Sequence, residues 1–241
     1  MTHWIIPDWP APRHIRAATT LRTGGFSRAK FNSLNPADHV QDNLEDVLKN
    51  RQQIKQMLAL PSEPVWLQQT HSVDVMCADQ YNQVLVADAS YTHKKNIVCT
   101  VLTADCLPLL LCDARGTTVA AIHGGWRGLL NGIVENAVAK MPDTELLVWL
   151  GPAIGPQCFE VGQDVYAAFV NKSGQFAGAF TPQSGDKYLA DIYQIARILL
   201  NNAGVQKIYG GQFCTVSEIE RFFSYRRDGQ TGRMATLIWM E

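Results

Sequence analysis

Three residues carry chemistry by type and by setting: His71, Cys106 and His123. Each stands where an apolar, strand-like run gives way to a polar or glycine-rich turn. His71 follows Val65-Trp66-Leu67-Gln68-Gln69-Thr70, and Cys106 closes the run that begins at Ile97. His123 follows Val119-Ala120-Ala121-Ile122 and opens Gly124-Gly125-Trp126-Arg127-Gly128. Two imidazoles and a thiolate could bind zinc, and three protein ligands leave a fourth position open for catalysis. The same set could hold copper, or Cys106 could be a nucleophile with a histidine as its base. His39, between Asp38 and Asp42, is a reserve ligand.

Other candidates surround this trio. The glycines after His123 let backbone approach a ligand closely, and a following helix would offer free amides to an anion. Arg127 adds a planar cation suited to phosphate. Asp105 precedes Cys106 and could orient a ligating imidazole. Arg22-Thr23-Gly24-Gly25-Phe26-Ser27 has the makings of an anion loop but lacks the lysine-serine/threonine ending of a P-loop; a plain turn fits it equally well. Phe222-Phe223-Ser224-Tyr225-Arg226-Arg227 mixes aromatics with arginines, which can stack on and bond a planar base. Without further information, an edge strand with a solvated basic end is the simpler reading.

These residues must be positioned by a chain of 241 residues. Hydrophobic residues make up 46% and charged residues 18%, enough for a substantial core. The formal net charge of -1 gives no electrostatic pull toward nucleic acid or anionic membrane. No apolar run reaches membrane-spanning length, and the N-terminus lacks a signal-peptide pattern; a cytoplasmic protein is expected. The six cysteines form no C-x-x-C pair, so most are expected as small buried hydrophobes. No repeat or linker divides the chain, and one domain over 1–241 is expected.

The hydrophobic patterning predicts a strand over 15–21 and a helix from Asp42 or Asn43 to about Leu60. Strands are expected at 65–68, 72–77, 84–86, 97–103, 107–112 and 117–123. Asp113-Ala114-Arg115-Gly116 is the expected turn between the last two. A helix is expected over 126–141, a strand over 146–150, helices over 162–171 and 187–203, and strands over 222–226 and 233–239. Strands outnumber helices and several pair as hairpins. That predicts an α+β or mixed α/β fold, with mixed sheets flanked by helices.

The ordered motifs resemble the YfiH-type family of laccase-like polyphenol oxidases and purine nucleoside phosphorylases. The resemblance runs through Thr20-Leu21-Arg22-Thr23-Gly24-Gly25, Ser33-Leu34-Asn35, Gln69-Thr70-His71, Ala87-Asp88-Ala89 and Thr103-Ala104-Asp105-Cys106-Leu107-Pro108. It continues through His123-Gly124-Gly125-Trp126-Arg127-Gly128, Leu150-Gly151-Pro152-Ala153-Ile154-Gly155, Phe159-Glu160-Val161-Gly162 and Ser224-Tyr225-Arg226-Arg227-Asp228. Gly124 departs from the alanine usual in the family; little effect is expected.

The resemblance implies a cytoplasmic protein similar in fold to cysteine-dependent toxins of the cytotoxic-necrotizing-factor type, with His71, Cys106 and His123 as catalytic metal ligands. It implies phosphorolysis of adenosine, inosine, guanosine and methylthioadenosine, with adenosine deamination besides. Some relatives are described as peptidoglycan-editing factors acting on a muramyl precursor. On that reading zinc, Arg127, Arg22 and Arg226 would position phosphate, and Asp105 or Asp88 would protonate the leaving base. The H-x-E and P-C-x-x-C signature of zinc deaminases is absent. A laccase of the usual architecture needs many more histidines than the six present, so copper chemistry is expected only from copper in the zinc site.

Overall fold

The computed structural model describes residues 3–80, 85–141 and 145–241. Alternation along the strands sets its layers. Leu109 and Leu111 pack on one side of the strand Leu107–Asp113, Leu110 and Cys112 on the other, because successive side chains of a strand point to opposite faces. Leu146, Val148 and Leu150 share the first side, and Leu147 and Trp149 the second. Both faces are therefore covered, which is why these strands read as unbroken apolar runs.

A six-stranded mixed sheet has the order Lys207–Gly210, Leu146–Leu150, Leu107–Asp113, Val119–Gly124, Ala89–Thr92, Val75–Cys77. Its two outer pairings are parallel and the others antiparallel. A four-stranded antiparallel sheet has the order Trp4–Ile5, Ile15–Thr20, Met234–Met240, Cys99–Thr103. The two sheets share a core of Val101, Leu110, Val119, Trp149 and Ile238. Helices including Gln163–Lys172 and Ile192–Asn202 cover the other face of the larger sheet, through Phe169, Ile195 and Leu199. The helix Leu44–Met57 covers the other face of the smaller one through Ile54. The result is α+β with mixed sheets, as the patterning predicts.

Most expected elements appear. Asn43 caps the first long helix by accepting from Asp46 N, and the 107–112 and 117–123 runs pair as the expected hairpin. The expected strand over 84–86 is seen as Leu85–Val86, residue 84 lying outside the described residues.

Three expectations are corrected. The 126–141 helix is two pieces, Trp126–Asn131 and Ile133–Val138, because Gly132 turns left-handed at φ 106°. The first piece is too short for its end to act as an anion site. The 187–203 helix begins only at Ile192: Lys187–Ala190 pairs as a strand, and Asp191 caps the helix by accepting from Gln194 N. The 222–226 strand does not form. Ser224 caps a four-residue helix, Tyr225–Asp228, by accepting from Arg227 N, and Arg226 N donates to the Asp105 carboxylate rather than to a ladder.

Candidate active site

The chain crosses between the two sheets at Ala104-Asp105-Cys106, from strand Cys99–Thr103 to strand Leu107–Asp113. Cys106 therefore stands at one end of the sandwich. His123 reaches the same end from strand Val119–Gly124. His71 arrives on the loop after Leu67–Gln68, held by Gln69, whose side chain accepts from Leu102 N and donates to Leu102 O as a strand neighbour would.

The three donor atoms lie within 4.8 Å of one another, with Cys106 Sγ 3.8 Å from His71 Nε2. A tetrahedral zinc spaces its nitrogen and sulfur ligands by roughly 3.3–3.6 Å, so the trio would have to draw together, its widest pair by about 1 Å or more, to hold one ion. Among the described residues this is the one such cluster. A Cβ on Gly125 would stand 2.7 Å from His71 Cδ2 and 3.4 Å from Cys106 Sγ; glycine lets the backbone pass the trio. At Gly124 a Cβ would meet the Leu107 carbonyl at 2.8 Å and Leu109 Cδ1 at 2.7 Å.

Asp88, fully buried, binds the site together from behind. Its Oδ1 accepts from His123 Nδ1 at 2.7 Å and from His71 N at 3.0 Å. Its Oδ2 accepts from Thr70 N at 3.0 Å and Ser72 N at 2.6 Å. With the proton of His123 fixed on Nδ1, Nε2 is left as the ligand atom. Burial alone would raise the Asp88 pKa, but the bond to His123, its charge and the backbone amides outweigh it and hold the carboxyl well below the usual range.

Burial likewise opposes the charges of Cys106 and His123, and their mutual attraction wins. The His123 imidazolium, helped by His71, pulls the Cys106 thiol down to about 6, and the thiolate with Asp88 pushes His123 up to about 9. Metal-free protein should therefore hold Cys106 as a thiolate at neutral pH. Its alkylation rate in chelated protein, followed site by site by mass spectrometry, should have a midpoint near about pH 6 and be flat above about pH 7.5. A Cys106 rate still climbing through pH 9, as an ordinary thiol's would, contradicts the ion pair.

Backbone strain marks the same place. His71 and Asp105 have φ of 61° and 90°, a region costly for side chains other than glycine. Both are pinned by hydrogen bonds: His71 through Asp88, and Asp105 through its carbonyl to Ile154 N and its carboxylate to Thr215 Oγ1 and Arg226 N.

The trio opens into a cavity of about 480 Å³, the size of a small-molecule site. Arg127, Arg226, Trp126, Phe159, Tyr225 and Arg233 line it. Arg127 lies over the Trp126 ring at 4.3 Å, and Arg226 lies 5.7 Å from the Phe159 ring centre and donates to the Cys158 carbonyl. Asp105 and His39 also reach the cavity, but His39 is not one of the clustered ligands.

Two expected ligand-binding residues lie elsewhere. Asp88 is sealed behind His123 and absent from the lining. Arg22 donates to the carbonyls of Asn32 and Ile219 and lies over Phe223, so its loop is scaffold. Neither carboxylate named as a proton donor is placed as one, because Asp88 and Asp105 both accept on both oxygens. Arg233 escaped the motif reading; its one sequence signal is a lone cation between Gly232 and the apolar run 234–240.

Fold and site together define an α+β protein with a His–Cys–His candidate metal centre in an arginine-lined cavity. Residues 16–241 match the family described as multi-copper polyphenol oxidoreductase laccase. The chain belongs to that family, the YfiH-type proteins that its motifs resemble. It is 49% identical, over all of both chains, to a protein named purine nucleoside phosphorylase in Pseudomonas aeruginosa and to the purine nucleoside phosphorylase YfiH of Escherichia coli. The crystal structure of a Neisseria meningitidis protein, 46% identical, covers 100% of both chains with a TM-score of 0.96. YlmD from Geobacillus stearothermophilus, 30% identical, covers 100% of this chain and 97% of its own with a TM-score of 0.89.

Proposed function

We propose that the protein is a zinc-dependent purine nucleoside phosphorylase with adenosine deamination as a secondary activity. The observation that carries this reading is the His71–Cys106–His123 cluster opening into a cavity lined by both cations and aromatic rings. The names of the 49%-identical relatives support it. In the reaction a phosphate oxygen bonds to ribose C1′ and the bond from C1′ to the purine breaks. The products are ribose 1-phosphate and the free base, which takes up a proton. Zinc, when bound, would supply a Lewis-acid charge at the reacting end of the cavity. Arg127 and Arg226 line the cavity and would hold an anion, and Trp126, Phe159 and Tyr225 would pack a purine ring. Asp105 orients the segment carrying Arg226.

No described helix is long and apolar enough to cross a membrane, in keeping with a cytoplasmic enzyme acting on small nucleosides. The test is product analysis of metal-loaded protein with inosine and adenosine, with and without phosphate. Ribose 1-phosphate should appear only with phosphate; its absence removes this reading.

A second reading draws on the thiolate–imidazolium pair, which also suits a cysteine amidase acting on a muramyl precursor. Such an enzyme would keep its activity after chelation, whereas the zinc enzyme should lose it and regain it on metal add-back. The family description and the donor set also admit copper. The remaining histidines are dispersed, however. His14 bonds the Gly116 carbonyl, His93 bonds Thr118, His3 bonds Thr23, and His39 sits by Asp38. They are not gathered into the further cluster a multicopper oxidase needs.

A further inference from the structure

Arg233 is an unusual cation for its surroundings. It sits at the start of the buried strand Met234–Met240 and lines the cavity that holds Cys106 and His123. Among the described residues no carboxylate forms an ion pair with it. A half-buried guanidinium with no ion-pair partner is costly, and burial does pull its pKa down, although the nearby charges of Cys106 and Asp105, and Tyr225, act against it.

Its geometry is nevertheless fixed. Nη1 donates to the carbonyls of Thr231 at 2.8 Å and Gly232 at 3.0 Å, and its backbone N–H donates to Asn35 Oδ1 at 3.0 Å. Nε and Nη2 have no protein acceptor among the described residues, so two parallel donors of the fork remain for a ligand. The neighbouring anions are already committed. Asp105 accepts from Thr215 and Arg226 N, and Cys106 would be neutralised further by a bound metal. With Arg127 and Arg226 on the same cavity, the surplus charge is positive.

We propose that Arg233 is the anchor of the phosphate subsite, gripping the co-substrate through Nε and Nη2 while its backbone-tied Nη1 holds the fork in place. The proposal rests on the phosphorolytic reading and assigns its second substrate to a residue outside every motif of the resemblance. A planar, bidentate anchor selects a tetrahedral oxyanion and positions it before the nucleoside reacts.

The test uses metal-loaded protein, inorganic phosphate as the probe, and the variants R233Q, R233K and, as a control away from the cavity, R16Q. Arg16 is exposed and paired with Glu241. In R233Q the calorimetric affinity for inorganic phosphate should fall about 10- to 100-fold, and KM for phosphate should rise by the same factor. KM for inosine should stay within about twofold, a split that loss of structure would not give. R16Q should match wild type. If R233Q does not fold, R233K decides. Lysine keeps the charge but not the fork, so phosphate affinity should still fall about fivefold or more. Wild-type phosphate affinity in either folded variant overturns the anchor. Wild-type protein that binds phosphate through Arg233 but yields no ribose 1-phosphate would overturn the function reading and leave the anion site standing.

Discussion

Replacing Cys106 by alanine should empty the metal centre and abolish turnover while leaving the fold intact. The thiolate is the softest and the only anionic donor of the three, and two neutral imidazoles alone make a weak zinc site. The loss of affinity should exceed the roughly 10- to 100-fold that follows removal of an outer partner. Metal content should drop from about one ion per chain to near background after dialysis against a mild chelator, and phosphorolysis should fall at least about a hundredfold. The metal-free variant should still fold, because Cys106 stands in the crossing between sheets and outside the buried clusters that hold them together. It should be less stable than the metal-free wild type, because the buried His123 imidazolium loses its thiolate partner. Metal content separates the readings where turnover does not. A nucleophilic cysteine would also be lost in this variant, but full metal occupancy in an inactive protein would favour the amidase reading. Full occupancy with full activity would falsify the ligand role outright.

The trio was legible because each member interrupts an apolar run at a strand end, a local signal that survives without coordinates. The sandwich itself was legible in part. The runs 107–112 and 146–150 announce buried strands, but continuous apolar sequence says only that both faces are covered, not which sheet or helix covers each. The helix break at Gly132 was written in the chain, yet a glycine within a helical pattern is often tolerated, and only its φ of 106° shows that this one ends the turn. The 222–226 segment misled for a different reason. Its aromatics favour a strand, but Ser224 and Asp105 satisfy its amides first, and Asp105 is 121 positions away.

Distance along the chain also hid the supporting roles. Asp88 stands within a recognisable motif, but nothing local says that it faces three successive amides and an imidazole instead of substrate. Arg233 carries no motif at all. Its meaning comes from a half-buried setting, two carbonyls on one nitrogen and the candidate ligand trio lining the same cavity. Positive φ at His71 and Asp105 is equally invisible in sequence, since both residue types adopt ordinary backbone elsewhere.

Asp88→Asn should be the most damaging change that touches no substrate. The amide offers one acceptor oxygen where the carboxylate offers two, and replaces the other with a donor. If that NH₂ takes the place of Oδ2, it faces the N–H groups of Thr70 and Ser72; if it takes the place of Oδ1, it faces His71 N and His123 Nδ1. Either way buried donors oppose one another, at about 1–3 kcal/mol for each group left unsatisfied. His123 can relieve the second clash only by moving its proton to Nε2, the nitrogen needed by the metal. Zinc affinity, measured by competition with a chromogenic chelator, should therefore fall about 10- to 100-fold. Metal-free stability should fall too, and its pH dependence carries the sign. The folded-state pKa of Asp88 lies below its unfolded value, so its contribution is fully present above the ordinary carboxylate pKa and is lost as pH falls through the acid range below about 4. The wild-type curve should lose that contribution on acidification, and the D88N curve should lack this part of the slope. Asparagine changes the side chain by a single atom position and keeps its volume, so a packing defect is not at issue. Unchanged zinc affinity together with an unchanged acid slope would show that the carboxylate's charge holds neither histidine.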